Sequence, residues 1–145
     1  MRVDFYQLSR DPAEAALPLI ARATLNAGER LLVVSADEAQ LARIGDELWS
    51  RLPETFLAHG TAGGAHDARQ PILLSTHPEP ANAARYLAIA DGQWREGAAP
   101  FARTFYFFDD ATLLAARACW KALGQRAGLE RHFWKQDGRR WVESG

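Results

Sequence analysis

The spacing of hydrophobic positions changes several times along this chain, and each change marks an element. Val3 to Leu8 (VDFYQL) is a short apolar and aromatic run closed by Ser-Arg-Asp-Pro, the form of a buried strand. Asp11 and Pro12 then supply an N-cap and a first-turn proline for a helix that runs to about Asn26 and stops at Gly28, with Pro18 as a kink or a delayed start. Arg30 to Val34 reads as a second strand. Ser35 and Glu38 form an S-x-x-E capping box ahead of Leu41, Ile44 and Leu48 at helical spacing.

After Leu52-Pro53 the pattern breaks into a long connection through Gln70, rich in Gly, Ala and His, which reads as loop. Ile72 to Ser75 is a third strand, Pro78 to Asn82 a turn, Arg85 to Ala90 a fourth strand and Arg103 to Phe108 a fifth. Asp109 and Asp110 cap a long last helix. Beyond Gly128, His132 to Gln136 reads as a last short strand or an edge segment, followed by Arg139 to Val142. Strands that alternate with helices imply an α/β fold, a mainly parallel central sheet flanked by helices in three layers. With no repeat, no low-complexity tract and no linker, residues 1–145 are expected to form one domain.

The last helix sorts into two faces at about 100° per residue. Ala111, Leu114, Ala115, Ala118, Cys119 and Ala122 make a small apolar side suited to packing on a sheet. Leu113, Arg117, Trp120 and Lys121 gather elsewhere. A tryptophan with Arg and Lys one turn apart suits a ligand that is both apolar and anionic, although Trp120 could equally cover the edge of the core. Charge bears on that choice. From Arg117 to Arg140 there are seven basic residues (Arg117, Lys121, Arg126, Arg131, Lys135, Arg139, Arg140) against Glu130 and Asp137, in a chain whose net charge is −1. That asymmetry favours an acidic partner at the C-terminal third.

At 145 residues, 48% hydrophobic and 24% charged, the chain can bury a core without disulfides or metal. Cys119 is the single cysteine, as expected for a reduced, cytoplasmic setting, and no apolar run approaches the length of a membrane span. The near-neutral total disfavours a protein that wraps nucleic acid over its whole surface, which leaves direct DNA contact only a local, basic patch.

Signatures of chemistry are missing from the expected places. The first strand is followed by no glycine-rich turn, and Gly60, Gly63 and Gly64 precede no Lys-Ser or Lys-Thr, so neither dinucleotide nor P-loop binding is indicated. His59, His66, His77 and His132 lack ligand spacing, so no metal is expected. Asp109-Asp110 and Asp46-Glu47 read as a helix cap and a solvated helix face. No catalytic residue and no cofactor emerges. A second notable segment, LWSRLPETFLAHG, places Trp49, Phe56 and Leu57 at a helix end and in a loop, either tucked into the core or forming a partner interface.

Several stretches in order, FYQL, GERLLVV, LWSRLPETFLAHG, QPILLS, FFDD, ARACWKALGQRAG and FWKQDGRRW, give the chain a resemblance to the chi subunit family of bacterial DNA polymerase III over nearly its whole length. The resemblance implies a non-catalytic adaptor of the clamp loader, with a fold similar to nucleotide-binding domains but no phosphate-binding loop. It further implies two partners: the acidic, phenylalanine-terminated C-terminal tail of single-stranded DNA-binding protein, and the psi subunit, with DNA contacted mostly indirectly. Arg117, Trp120 and Lys121 fall on the family's tail-binding positions, Tyr106 is expected to line the same pocket, and Leu113 stands where some members have lysine. Trp120 stands where the family often has tyrosine. Phe56, with Trp49 and Leu57 beside it, falls in the segment implicated in psi contacts, and Ala58 replaces a common proline there.

Two other classes of function remain open at the level of residues alone. A small nucleotide or phosphate-ester hydrolase would need a deep polar pocket at the carboxyl ends of the strands. A direct single-stranded DNA binder would stack bases on Trp120, Trp134 and Trp141.

Overall fold

The computed structural model describes residues 1–98, 100–137 and 140–144. Its strands are β1 (Arg2–Gln7), β2 (Leu31–Val34), β3 (His59–Thr61), β4 (Ile72–Ser75), β5 (Tyr86–Ile89), β6 (Arg103–Phe108), β7 (Glu130–Asp137) and β8 (Arg140–Glu143). The helices are α1 (Ala13–Asn26), α2 (Glu38–Ser50) and α3 (Leu113–Leu123). All eight strands join one sheet in the order β3-β4-β2-β5-β6-β1-β7-β8, parallel throughout except for the antiparallel pair β7 and β8.

Because successive side chains of a strand point to opposite faces, the apolar run of β6 feeds two cores at once. Phe105 and Phe107 join Tyr6, Leu31, Val33 and Ile72 under α1 and α2. Tyr106 and Phe108 join Val3, Phe5, Leu32 and Leu73 under α3. The helices are placed by topology. β1 leads through α1 leftward to β2 and β2 through α2 further left to β3, whereas β6 leads through α3 rightward over β1 to β7. Right-handed crossovers running in opposite directions lie on opposite faces, which gives the three layers.

The ends of the elements differ from the sequence expectation in instructive ways. The N-cap position of α1 is Pro12, with no side-chain bond. Asp11 is drawn away instead, accepting a hydrogen bond from Gln136 Nε2 on β7 at 2.8 Å. The N-cap of α2 is Asp37, which accepts from the Ala39 N–H at 2.9 Å. Ser35 sets it up by accepting from the Asp37 N–H at 3.1 Å, so the S-x-x-E box does not form. Gly28 does end α1: at φ +80 it sits where the Glu29 N–H reaches the Thr24 carbonyl and its own N–H reaches Leu25, the two bonds of a Schellman cap.

The stretch read as loop before Gln70 contains β3, a three-residue edge strand. The C-terminal segment is more regular than expected, since β7 has eight residues and pairs with β1 along Arg2 to Gln7. Arg139, where the following segment was expected to start, lies outside the described residues. Asp109 caps a 3-10 turn, Asp110–Thr112, through a reciprocal capping box with Thr112, and that turn leads directly into α3.

The largest correction concerns the rotation of α3. Ala116, Cys119 and Leu123 are its buried residues, with Leu113 and Trp120 packed partly against the same core. Leu114 is 80% exposed, and Ala115, Ala118 and Ala122 also face solvent. The side expected to lie on the sheet is therefore mostly the outer side. Burying leucine and tryptophan removes more apolar surface from water than burying alanines, and that difference sets the rotation.

Candidate functional site

Once α3 is turned this way, its Arg117 and Trp120 border a groove between the helix and β7. Leu113 and Ala116 complete the helical wall, Phe133 and Lys135 of β7 form the opposite wall, and Phe108 at the end of β6 lies at the base. The groove measures about 470 Å³ and reaches Gln7 at the carboxyl end of β1, with Ser144, whose N–H donates to the Phe133 carbonyl, also in its lining. Apolar surface lines its length, and a cation stands on each side.

Trp120 is held from three directions. Its ring meets Phe5 edge-on at 5.1 Å and 78° and Phe133 at 5.9 Å and 90°. The guanidinium of Arg131 lies 4.1 Å from the ring centroid, and Arg131 Nη1 donates to the Trp120 carbonyl oxygen at 2.7 Å. This one side chain supplies a cation–π contact and a donor for the last turn of α3, where the helix dipole favours positive charge. Gly124 makes room for it, because a Cβ there would fall 2.9 Å from the same guanidinium.

The expected tail-binding residues fall into separate places. Arg117, Trp120 and Leu113 border the groove. Lys121, the residue after Trp120, is exposed and is not part of the lining. Tyr106 is fully buried behind Phe5, at 5.1 Å between ring centroids, and donates its hydroxyl to the Gly92 carbonyl at 2.6 Å. Burial pushes its phenol well above the ordinary tyrosine range. Tyr106 therefore supports the site from the core and does not line it; Phe108, two residues on and pointing to the same face, takes that place. Sequence reasoning also missed Phe133 and Lys135. Their signal was the alternation Arg131, Phe133, Lys135, which places all three on the α3 side once this segment is a strand.

A second feature lies at the far edge of the sheet. Trp49 at the end of α2 is 55% exposed, Phe56 is 75% exposed, and their rings approach to 5.4 Å. His59 of β3 backs Trp49 at 4.7 Å. Leu57 does not belong to this surface. It is 1% exposed, packs in the core under α1 and α2, and anchors the loop from which Phe56 projects. Two large adjacent aromatics are thus left largely in water beside the edge strand β3.

The carboxyl ends of β1, β5 and β6 carry a third, larger concavity of about 600 Å³. Its lining includes Asp11, Glu14, Asp109 and Asp110 against Arg10 and Arg43, a net negative field that repels a phosphate. Glu14 is already engaged by Gln40 and Arg43, and Asp109 by Thr112. Among the described residues no group of three or more His, Cys, Asp or Glu could hold a metal ion. Cys119 is buried, which pushes its thiol up to about 12 and leaves it protonated and unreactive at neutral pH.

The three tryptophans expected to stack nucleic acid do not share a surface. Trp134 and Trp141 pack around Tyr6 on the α1 side of the sheet, and Trp134 Nε1 donates to Asp4 at 3.0 Å. Trp120 lies on the other side.

A family model described as DNA polymerase III chi subunit, HolC, matches residues 1–141. Among curated proteins none matches the chain. The matched span takes in β1 to β7, all three helices, the exposed aromatic pair and all of the α3–β7 groove lining except Ser144. The chain belongs to the DNA polymerase III chi subunit family, an accessory component of the replicative polymerase.

Proposed function

We propose that this chi-family chain is a non-catalytic adaptor that holds the acidic C-terminal tail of single-stranded DNA-binding protein in the α3–β7 groove and docks a psi-type clamp-loader subunit on the Trp49–Phe56 surface. The observation that carries the first half is the groove itself: Trp120, Phe133 and Phe108 offer an aromatic-lined slot, with Arg117 and Lys135 on opposite walls. A tail ending in phenylalanine matches it group for group. The ring enters the slot, the terminal carboxylate meets a cation one helical turn from Trp120, and upstream aspartates meet the remaining positive charge. The exposed pair Trp49 and Phe56 supports the second half, since aromatics of this kind are the usual anchors of protein interfaces.

Fluorescence anisotropy with a labelled tail peptide tests the reading. Arg117→Ala is expected to weaken binding by about 1 to 3 kcal/mol, the range for losing a hydrogen bond to a charged group. An unchanged dissociation constant contradicts the role given to Arg117.

A further inference from the structure

We infer that Lys135 is a specificity-determining residue of the groove, the cation that reads a side-chain carboxylate upstream of the bound chain end, while Arg117 holds the terminal carboxylate. This rests on the tail reading above and adds to it a residue on a different element, with a division of labour between the two cations.

The α3-facing side of β7 presents Arg131, Phe133 and Lys135 in succession, a cation on either side of an aromatic ring. The outer cations are not equivalent. Arg131 is committed to the Trp120 ring and carbonyl. Lys135 is exposed, lines the groove, and holds its ammonium 6.0 Å from the centroid of the Phe133 ring. Neither Lys135 nor Arg117 takes part in the ion pairs found among the described residues. Both are therefore available to a ligand.

Their heights in the groove differ. α3 descends from the carboxyl rim and β7 climbs back to it, with Arg131 level with the last turn of α3. At about 3.3 Å per strand residue Lys135 stands about 13 Å above Arg131, and at about 1.5 Å per helical residue Arg117 stands only about 7 Å above that last turn. The backbone of Lys135 thus sits nearer the carboxyl rim, in register with Gln7 at the end of β1. The backbone of Arg117 sits deeper, and the residue is flanked on its own helix by the groove-lining Leu113 and Trp120.

That geometry orders the ligand. The terminal carboxylate and the last side chain share one Cα, so whatever cation stands beside the buried ring also meets the chain end. Arg117 is that cation, and its planar fork suits a carboxylate held in fixed orientation. The preceding residues leave along the groove toward the rim, where an extended chain advancing about 3.3 Å per residue brings a carboxylate to Lys135 within about two residues. A flexible ammonium suits such a less constrained partner.

The test compares two synthetic peptides ending in phenylalanine, one with aspartates upstream and one with asparagines in their place, titrated by anisotropy against the wild-type chain and its variants at low salt. Lys135→Gln is expected to lower affinity for the aspartate peptide by about two- to fivefold and to leave the asparagine peptide unchanged. Arg117→Ala is expected to weaken both peptides, and Lys135→Arg to keep wild-type discrimination. Equal losses for both peptides with Lys135→Gln, or no loss with either, overturn the assignment while the Arg117→Ala response still supports the tail reading. If the wild-type chain binds neither peptide, the tail reading fails and this assignment with it.

Discussion

Arg131 spans the gap between β7 and α3, with its guanidinium 4.1 Å above the ring of Trp120 and one nitrogen on the Trp120 carbonyl oxygen. The contact holds in place the aromatic plate that borders the groove. Arg131→Leu is expected to lower stability by about 1 to 2 kcal/mol, the sum of a cation–π contact and a hydrogen bond at a helix end, and to weaken tail binding because Trp120 loses its backing. Urea denaturation and peptide titration of the same variant check both effects.

Asp4 is the buried charge of β1, an interior strand between β6 and β7. It is fully buried and accepts from Arg2, from Arg103 Nε at 2.8 Å and from Trp134 Nε1 at 3.0 Å, which ties β1 to β6 and β7. Burial alone would push its carboxyl up, but the hydrogen bonds from Arg2, Trp134 and Arg103 outweigh it and hold the carboxyl below the ordinary aspartate range. A depressed folded-state value means that this contribution is present above the unfolded aspartate value and is lost as pH falls through the folded one. Asp4→Asn is expected to cost about 2 to 3 kcal/mol at neutral pH, less than for a pair buried on both sides because both arginines reach solvent. The difference from the wild type should shrink on acidification, which denaturation curves at several pH values would reveal.

His132 behaves in the opposite sense. Its Nδ1 meets Glu143 of β8 and its Nε2 meets Glu130, each at 2.6 Å, and these hydrogen bonds raise the imidazole above its ordinary value of 6.5. The stabilisation is therefore complete below the unfolded histidine value, so long as the carboxylates stay ionised, and fades as pH rises through the raised one. An NMR titration of the imidazole should give a midpoint above that of a free histidine. It should shift downward in Glu143→Gln.

The exposed aromatic surface and its anchor are separable by mutation. Trp49→Ala and Phe56→Ala should change stability by less than about 1 kcal/mol, because both rings stand largely in water, while removing co-purification with a psi-type subunit. Leu57→Ala should cost about 2 to 5 kcal/mol, as expected for a leucine buried in a packed core. Thermal melts beside co-expression pull-downs distinguish the two classes.

The departures from the sequence reading at the sites trace to packing that periodicity alone does not reveal. In the run Ala111 to Leu123 the helical period is plain, but two stripes compete for the sheet, and periodicity does not say which one wins; the buried area of Leu113, Trp120 and Leu123 does. The resemblance carried Arg117 and Trp120 to the groove, whereas Tyr106 required knowing that Phe5 and Gly92 enclose it. Lys135 was hidden because ERHFWKQD mixes charges and aromatics on both faces, and its alternation becomes visible only when β1 fixes the register. β3 offered no hydrophobic signal at all: His-Gly-Thr is held as an edge strand by its backbone bonds to β4.

The most direct measurement is a heteronuclear NMR titration of the chain with the tail peptide of single-stranded DNA-binding protein, read at the indole N–H resonances of its five tryptophans. Binding in the α3–β7 groove should move Trp120 strongly, together with the backbone of Arg117 and Phe133, and leave Trp49 at the far edge nearly still. A response concentrated at Trp49 and Phe56, or at the acidic cleft around Asp11 and Asp109, with Trp120 unmoved, would contradict it.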